Sequence, residues 1–289
     1  MSRSASPNDT IAINSNSRPS MVNHIWQLAK FELTKRFTNK SGMIALIAFL
    51  LVWTVIILYP VRSASDILLQ PAFKDFITSF LGPNSLNHLF EWQVAEYAVF
   101  WAIALYAFPL FSIFISADQF CSDKQRGSFR FLTLRVSRSE LFFGRFIGQM
   151  LIQAVLISLT LLVTLALVLV RDASLLAPSL MSCVVIFANV LIVLLPYVAV
   201  MAVFSLIAKT ARQASIFAIV LWAIVSMIIT IVNVQFPTLA FLDWLLPGAQ
   251  ISHMVNTQGF NTFSFAPIPI LQAIALLILG KVVMQRSAL

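Results

Sequence analysis

The sequence predicts an all-α integral membrane protein: six transmembrane helices, an interfacial helix ahead of the first, and a short surface helix between spans two and three. Three observations carry this. Of the 289 residues, 60% are hydrophobic and only 10% charged, with a mean hydropathy of +0.91; a soluble domain carries about a quarter charged residues. Six apolar runs recur, each near the ~20 residues that cross a ~30 Å hydrocarbon core. Lys and Arg fall almost entirely into alternate connecting segments, the pattern that orients membrane proteins.

Residues 1–22 are rich in Ser, Asn and Pro and have no apolar period, so they read as a disordered tail; they also lack the apolar stretch of a secretory signal. Residues 23–289 form one transmembrane domain. From His24 to Lys40, Trp26, Ala29, Leu33 and Phe37 fall on one stripe at spacings of three and four, with Lys30, Lys35 and Lys40 off it. This predicts a helix lying in the membrane interface, although Arg36 intrudes on the stripe and Phe31 lies outside it. The spans are predicted at Met43–Tyr59, Tyr97–Ala117, Leu141–Val170, Pro178–Ala208, Ala214–Phe236 and Ala266–Gly280. The third and fourth are long enough to tilt or project, and Pro109 and Pro196 sit where they would kink their helices.

With the N-terminus cytoplasmic, the outer segments hold only Arg62, Lys74 and Arg171, and every other Lys and Arg lies on the inner side. Both termini are then cytoplasmic. This placement accounts for the net charge of +8 without any nucleic-acid partner. Two outer loops stand out. Residues 61–96 carry Ile67, Leu68, Phe73, Phe76, Ile77 and Phe80, a pattern for surface helices on the outer leaflet. Residues 237–265 contain Leu245-Leu246-Pro247-Gly248 and no Lys or Arg. The first reads as helices on the outer leaflet and the second as a segment dipping partly into the membrane, and for both an ordered surface loop remains open.

Asp118–Arg145 holds the densest charge in the chain. Gly127 follows a polar helical end, where a residue able to take positive φ stops a helix. Ser137-Arg138-Ser139-Glu140 fits a capping box opening the third span. Between these marks, Ser128 to Arg135 is predicted as a small basic helix along the surface.

The spans contain no Asp, Glu, Lys, His or Arg apart from Arg145 at a flank, which argues against an ion-coupled carrier, since such proteins hold the coupling ion on intramembrane charges. Neutral polar groups are present at Thr54, Gln149, Gln153, Ser158, Thr160, Asn189, Ser226, Thr230, Asn233 and Gln272. They suit either a substrate route or hydrogen bonds between helices. His24, His88 and His253 lie in separate flanks or loops, and Cys121 and Cys183 on opposite sides of the topology, so neither a metal site nor a disulfide is expected. No nucleophile elbow or Gly-x-x-x-x-Gly-Lys-Ser/Thr phosphate cradle occurs. Energy for work against a gradient would have to come from another polypeptide on the cytoplasmic side.

The island resembles the signature region of ABC-2 type transporter permeases in Asp123-Lys124-Gln125-Arg126-Gly127-Ser128, Phe131-Leu132, Val136-Ser137-Arg138 and Gly144-Arg145. Asp123 stands where Glu is common in that family, Ser128 where Thr is usual and Arg130 where an acidic residue is common. Lys30-Phe31-Glu32-Leu33 is similar to the family's elbow helix. The resemblance implies a permease, usually dimeric and so paired here with an identical copy or a relative, working with two copies of a separate ABC ATPase. It implies no cofactor in this chain, with ATP and Mg held by the ATPase. It makes the helix between spans two and three a coupling helix, with Asp123, Lys124, Arg126, Gly127, Ser137 and Arg138 as docking residues. Lys209 and Arg212 would make a second contact. A substrate path at the dimer axis would be lined by spans two and five, here Phe100, Trp101, Tyr106, Ser226, Thr230 and Asn233. The reading that follows is an exporter subunit in a bacterial-type inner membrane. The alternative is a mechanotransmission or scaffold subunit driven by an ABC ATPase, which would need a larger outer domain.

Overall fold

The computed structural model describes residues 21–68, 92–127, 136–257 and 259–286. Among them every regular element is helical, and six helices are long and apolar enough to cross a membrane. The predicted coupling helix at 128–135, residues 69–91 of the first outer loop and residues 1–20 of the tail lie outside the described residues.

Helix α1 (Met21–Thr38) precedes the first span, as the periodicity predicts, and begins at Met21 rather than His24. The chain turns at Asn39 into α2 (Lys40–Ile56). The first span does not stop at Tyr59. Ile57–Val61 forms one π-helical turn containing Pro60, and α3 (Arg62–Leu68) continues it. Proline has no N–H to give to the helical ladder, and a local π turn absorbs the fault without ending the helix. The second span, α4, is Ala95–Ile115, and a short α5 follows at Cys121–Gln125. The third span is α6 (Arg138–Arg171), of 34 residues. The fourth, α7 (Leu176–Ile207), has 32 and follows a 3₁₀ turn at Ala173–Leu175. The fifth is α8 (Ala211–Gln235). The last, α10 (Pro267–Arg286), runs past Gly280 to take in Lys281 and Arg286.

Helix α7 is the centre of the bundle and packs on α4, α6, α8 and α10. Three of the largest buried side chains, Trp53, Phe100 and Phe108, meet between the first two spans, where Trp53 stacks on Phe108 at 4.6 Å. Neutral polar groups stitch the helices together. Gln153 Nε2 donates to Ser112 Oγ at 3.2 Å, and Asn189 Nδ2 to Thr262 Oγ1 at 2.8 Å. For these two the interhelical reading holds, because in lipid an unpaired amide costs more than any rearrangement that satisfies it.

The segment after α8 is neither a plain surface loop nor a helix on the outer leaflet. A 3₁₀ run at Pro237–Leu245, α9 (Ile251–Val255) and a second 3₁₀ run at Gly259–Phe265 fold back among the spans. At the turn, Gly248 takes φ +92 beside Tyr197, whose hydroxyl donates to the Pro247 carbonyl at 3.0 Å. Tyr197 precedes the end of α7 at Ile207 by 207 − 197 = 10 residues, roughly 15 Å of helix. The turn therefore reaches well into the bundle. Trp101 Nε1 donates to Met254 O at 3.2 Å, and Gln272 Nε2 to Trp244 O at 2.7 Å and Leu246 O at 3.1 Å, so irregular backbone at this depth is paired by side chains. His253 is no isolated loop histidine. Its ring stacks between Trp244 (5.3 Å) and Phe265 (6.0 Å).

At the face bearing this loop, Glu96 sits in the first turn of α4 and is buried, 3% exposed, with Arg171 Nη1 at 2.7 Å. The second span thus begins on a buried carboxylate paired with an exposed arginine, which the apolar run, taken from Tyr97, leaves out.

Candidate functional site

The basic face of the bundle is built around the two flanks of segment 128–135. On the incoming side, α5 ends at Gln125, and Gly127 takes φ +66 with nothing near where a side chain would begin. This is the left-handed helix stop that the sequence predicts. On the outgoing side, Ser137 caps α6. Its Oγ accepts from the Glu140 N–H at 3.2 Å, while Glu140 Oε2 accepts from the Ser137 N–H at 2.7 Å. The predicted capping box is present in both directions, and Glu140 is also met by His24 Nδ1 of α1 at 3.1 Å.

Both flanks are tied to other helices. Lys124 Nζ donates to the Leu206 carbonyl at 2.6 Å and the Ala208 carbonyl at 3.3 Å, at the C-terminal end of α7. Gln125 Nε2 donates to Lys209 O at 2.8 Å. Arg138 Nη1 donates to Met284 O at 3.3 Å and Gln285 O at 3.1 Å, near the end of α10. The last carbonyls of a helix lack intrahelical partners and carry its negative dipole end, so these cations both satisfy and neutralise them. The sequence treats Lys209 as a second, separate contact; the Gln125 bond joins it to the first.

Beneath this lies a buried charge cluster. Arg145 is 5% exposed and Asp123 8%. Arg145 pairs with Asp123, donates to the Gln119 carbonyl, and has Glu32 of α1 at 3.6 Å. Its guanidinium lies 5.2 Å from the Phe120 ring centroid, and Lys35 approaches Asp123 at 4.0 Å. Helix α1 reaches this cluster because Gly144 and Gly148 leave a trough on α6. A Cβ at Gly144 would fall 2.7 Å from Leu28 Cβ, and one at Gly148 3.2 Å from the Ala29 carbonyl oxygen. Ala29 is completely buried there. So α1 packs on α6 through Ile25, Leu28, Ala29 and Glu32, while Leu33 and Phe37 of the predicted stripe pack against the main core and Trp26 is left 46% exposed. The glycine trough and the Arg145 charge hold most of the stripe toward protein and leave its first residue outside. Glu32, Gln119 and Gln125 are site residues that the sequence reading passes over. The Gly144-x-x-x-Gly148 spacing was the legible signal for the close helix contact.

Cys121, in α5, is buried, and its Sγ lies 3.4 Å from the Ser205 carbonyl. Burial, then the neighbouring Asp118 carboxylate, pushes its thiol above the ordinary range, with Lys124 opposing. The thiolate is the reactive form, so Cys121 should resist maleimide in the folded protein at pH 7 and label only on denaturation. Rapid labelling of the native protein would contradict this packing. Cys183 lies near the other end of α7, where it meets the Tyr97 hydroxyl at 3.0 Å. Ser205 and Cys183 are 205 − 183 = 22 residues apart on one helix, roughly 33 Å, and both cysteines are free.

Residues 26–283 match the family described as ABC-2 family transporter protein. The chain belongs to that family. Among curated proteins no match is found. Membership makes the chain a multi-pass permease-type membrane subunit of an ABC transporter, a class that works with an ABC ATPase.

Within this ABC-2 subunit the six docking candidates separate into two kinds. Asp123, Lys124 and Arg138 are engaged with the subunit's own helices, and Ser137 holds the cap. Arg126 and Gly127 are exposed, as are Lys209 and Arg212. The residues assigned to the substrate path also part company. Phe100 and Trp101 are buried in the core, with Phe100 5.7 Å from Trp53. Tyr106 is 59% exposed. Ser226, Thr230 and Asn233 share one face of α8, half-buried to exposed, and Asn233 donates to Asp243 at 2.8 Å. Only Ala214, Ser215, Ala218 and Ile229 of α8 are buried within the subunit.

Proposed function

We propose that this ABC-2 subunit is the membrane half of an ATP-driven exporter, worked from the cytoplasm by a separate ATPase that docks on segment 128–135 and its flanks. The observation that carries this is the bracing of the two flanks. They are hydrogen-bonded to the ends of α7 and α10 and joined through Asp123 and Arg145 to α1 and α6. A push on these flanks moves four helices together. Movement of packed helices past one another is the ordinary way a small displacement at one face becomes a change of state in a bundle.

In the full assembly two copies of the subunit pair, with α8 toward the partner, and two ATPases bind ATP and Mg; this chain performs no hydrolysis. The orientation read from Lys and Arg supports cytoplasmic termini, and a bacterial-type inner membrane is the location this reading takes for the complex. Tyr106, Ser226, Thr230 and Asn233 are the path residues the subunit leaves accessible. Phe100 and Trp101 would join a path only if α4 rotated.

The test is the stimulation of the partner ATPase by the reconstituted subunit. Arg126→Glu places a repelling charge at an exposed position. Gly127→Val puts a β-branched residue into the left-handed region, which costs about 1–2 kcal/mol locally. Each should lower stimulation roughly fivefold or more, the lower end of ordinary coupling between sites, with membrane insertion unchanged. Full stimulation in both variants would remove the docking role.

A further inference from the structure

We infer that the cleft between α1, α2, α4 and α6 on the basic face holds one anionic phospholipid, its phosphate among Arg36, Arg145 and Gln149 and an acyl chain along α2. The cleft has two connected parts. The first is polar, of about 290 Å³, and the second an apolar groove of about 330 Å³. Arg36, Gly42, Ala45, Ile115 and Ile152 line both, so one leads into the other.

Two buried donor atoms in the polar part have no hydrogen-bond partner among the described residues. Gln149 is 8% exposed and its Nε2 is unbonded; Arg145 is 5% exposed and its Nε is unbonded. A buried donor without an acceptor is costly, since it has given up water and gained no partner, and both residues line this cleft. What they lack is an oxygen. The charges around it select an anion. The carboxylates facing the cleft are Glu32, Asp118 and Asp123, and the cations Lys35, Arg36, Arg126 and Arg145. Asp123 and Glu32 are met by Arg145, and the Asp118 carboxylate accepts from the hydroxyl and the backbone N–H of Ser122. Arg36 and Arg126 make no ion pair with a carboxylate among the described residues. The four cations exceed the three carboxylates by one charge.

The apolar part explains why the anion is a lipid and not free phosphate. Gly42, Ala45 and Ala48 are three residues apart along α2 and form a shallow trough, closed on its sides by Phe49, Phe111 and Leu156. Arg36 stands where trough meets cleft, the position of a phosphate between headgroup and acyl chain. Basic pockets between transmembrane helices on the cytoplasmic side suit acidic headgroups. The site is on the face opposite the re-entrant loop and shares none of the residues assigned to the substrate path.

The experiment is native mass spectrometry of the intact complex in detergent, titrated with phosphatidylglycerol, phosphatidylcholine and deacylated glycerophosphoglycerol. Phosphatidylglycerol should be retained at one per subunit, in preference to the other two. Gln149→Leu and Arg36→Gln should each weaken retention by about tenfold, the effect of one charge-assisted hydrogen bond. Ala45→Phe, which fills the trough and leaves the polar groups intact, should weaken it as well. If Gln149→Leu does not fold, Arg36→Gln and Ala45→Phe, at a half-buried and an exposed position, decide the matter. Equal retention of phosphatidylcholine overturns the anionic selection. Glycerophosphoglycerol binding as tightly as the lipid makes the site one for free anions. Retention unchanged in the folded variants places the lipid elsewhere. Each of these results overturns the inference, and none bears on ATPase stimulation.

Discussion

Replacing Arg145 with leucine should destabilise the folded subunit by about 3–5 kcal/mol, the usual result of removing one member of a buried ion cluster. The loss is large because the partners cannot escape to water. Asp123 is 8% exposed, and the side chain of Glu32 is 23% exposed. Without Arg145 both carboxylates face each other across a buried gap, and the Gln119 carbonyl loses its donor. Against a total stability of about 5–15 kcal/mol for an ordinary domain, this is enough to empty much of the folded population. Equilibrium unfolding in mild detergent measures it. Adding Asp123→Asn to Arg145→Leu should recover part of the loss, because it lightens the negative charge that Arg145 offsets in the parent protein. A cost below about 1 kcal/mol for Arg145→Leu alone would mean that the cluster is solvated and contributes little.

Gly148→Leu should detach α1 from α6. A Cβ at this position would lie 2.9 Å from Glu32 Cβ and 3.3 Å from Ala29 Cα, and the remaining leucine atoms have no space beyond. The substitution has an opposing effect, since leucine favours a helix over glycine by nearly 1 kcal/mol. Forcing a large side chain into a close-packed contact typically costs about 1–3 kcal/mol, so the clash prevails. Moving α1 also pulls Glu32 from Arg145 and His24 from Glu140. The expected result is faster tryptic cleavage at Lys30 and Lys35 and a lower unfolding midpoint, with Gly148→Ala intermediate. Protection equal to that of the parent protein would show that α1 is held by lipid and not by α6.

Both predictions depend on contacts between residues distant in sequence, 22 residues apart for Arg145 and Asp123 and 145 − 32 = 113 for Arg145 and Glu32, and this separates the parts of the molecule that could be read in advance from those that could not. The spans were legible because twenty apolar residues in a row have a local meaning. The Ser137–Glu140 cap and the Gly127 stop were legible for the same reason, since each is a bond or a dihedral within four residues. The π turn at Pro60 was not, because the helix beyond it survives only through its packing on α4. The re-entrant turn at Pro247-Gly248 was undecided, since its apolar sequence fits a surface loop as well as an inserted one, and only Tyr197, Trp101 and Gln272 supply the missing hydrogen bonds.

Charge shows the same division. Sequence alone established that the basic residues gather on one face, that the chain has no phosphate cradle, and that a charged island joins spans two and three, because composition and order along the chain suffice for each. It could not sort Lys124 and Arg138, which hold helix ends, from Arg126, which faces outward. It did not show that Glu32 and Asp123 meet at Arg145, or that Gln149 points into a cleft with no acceptor. A side chain's role on this face is set by which helix end or carboxylate lies within about 3 Å, the reach of a hydrogen bond. That distance is decided by how the spans pack.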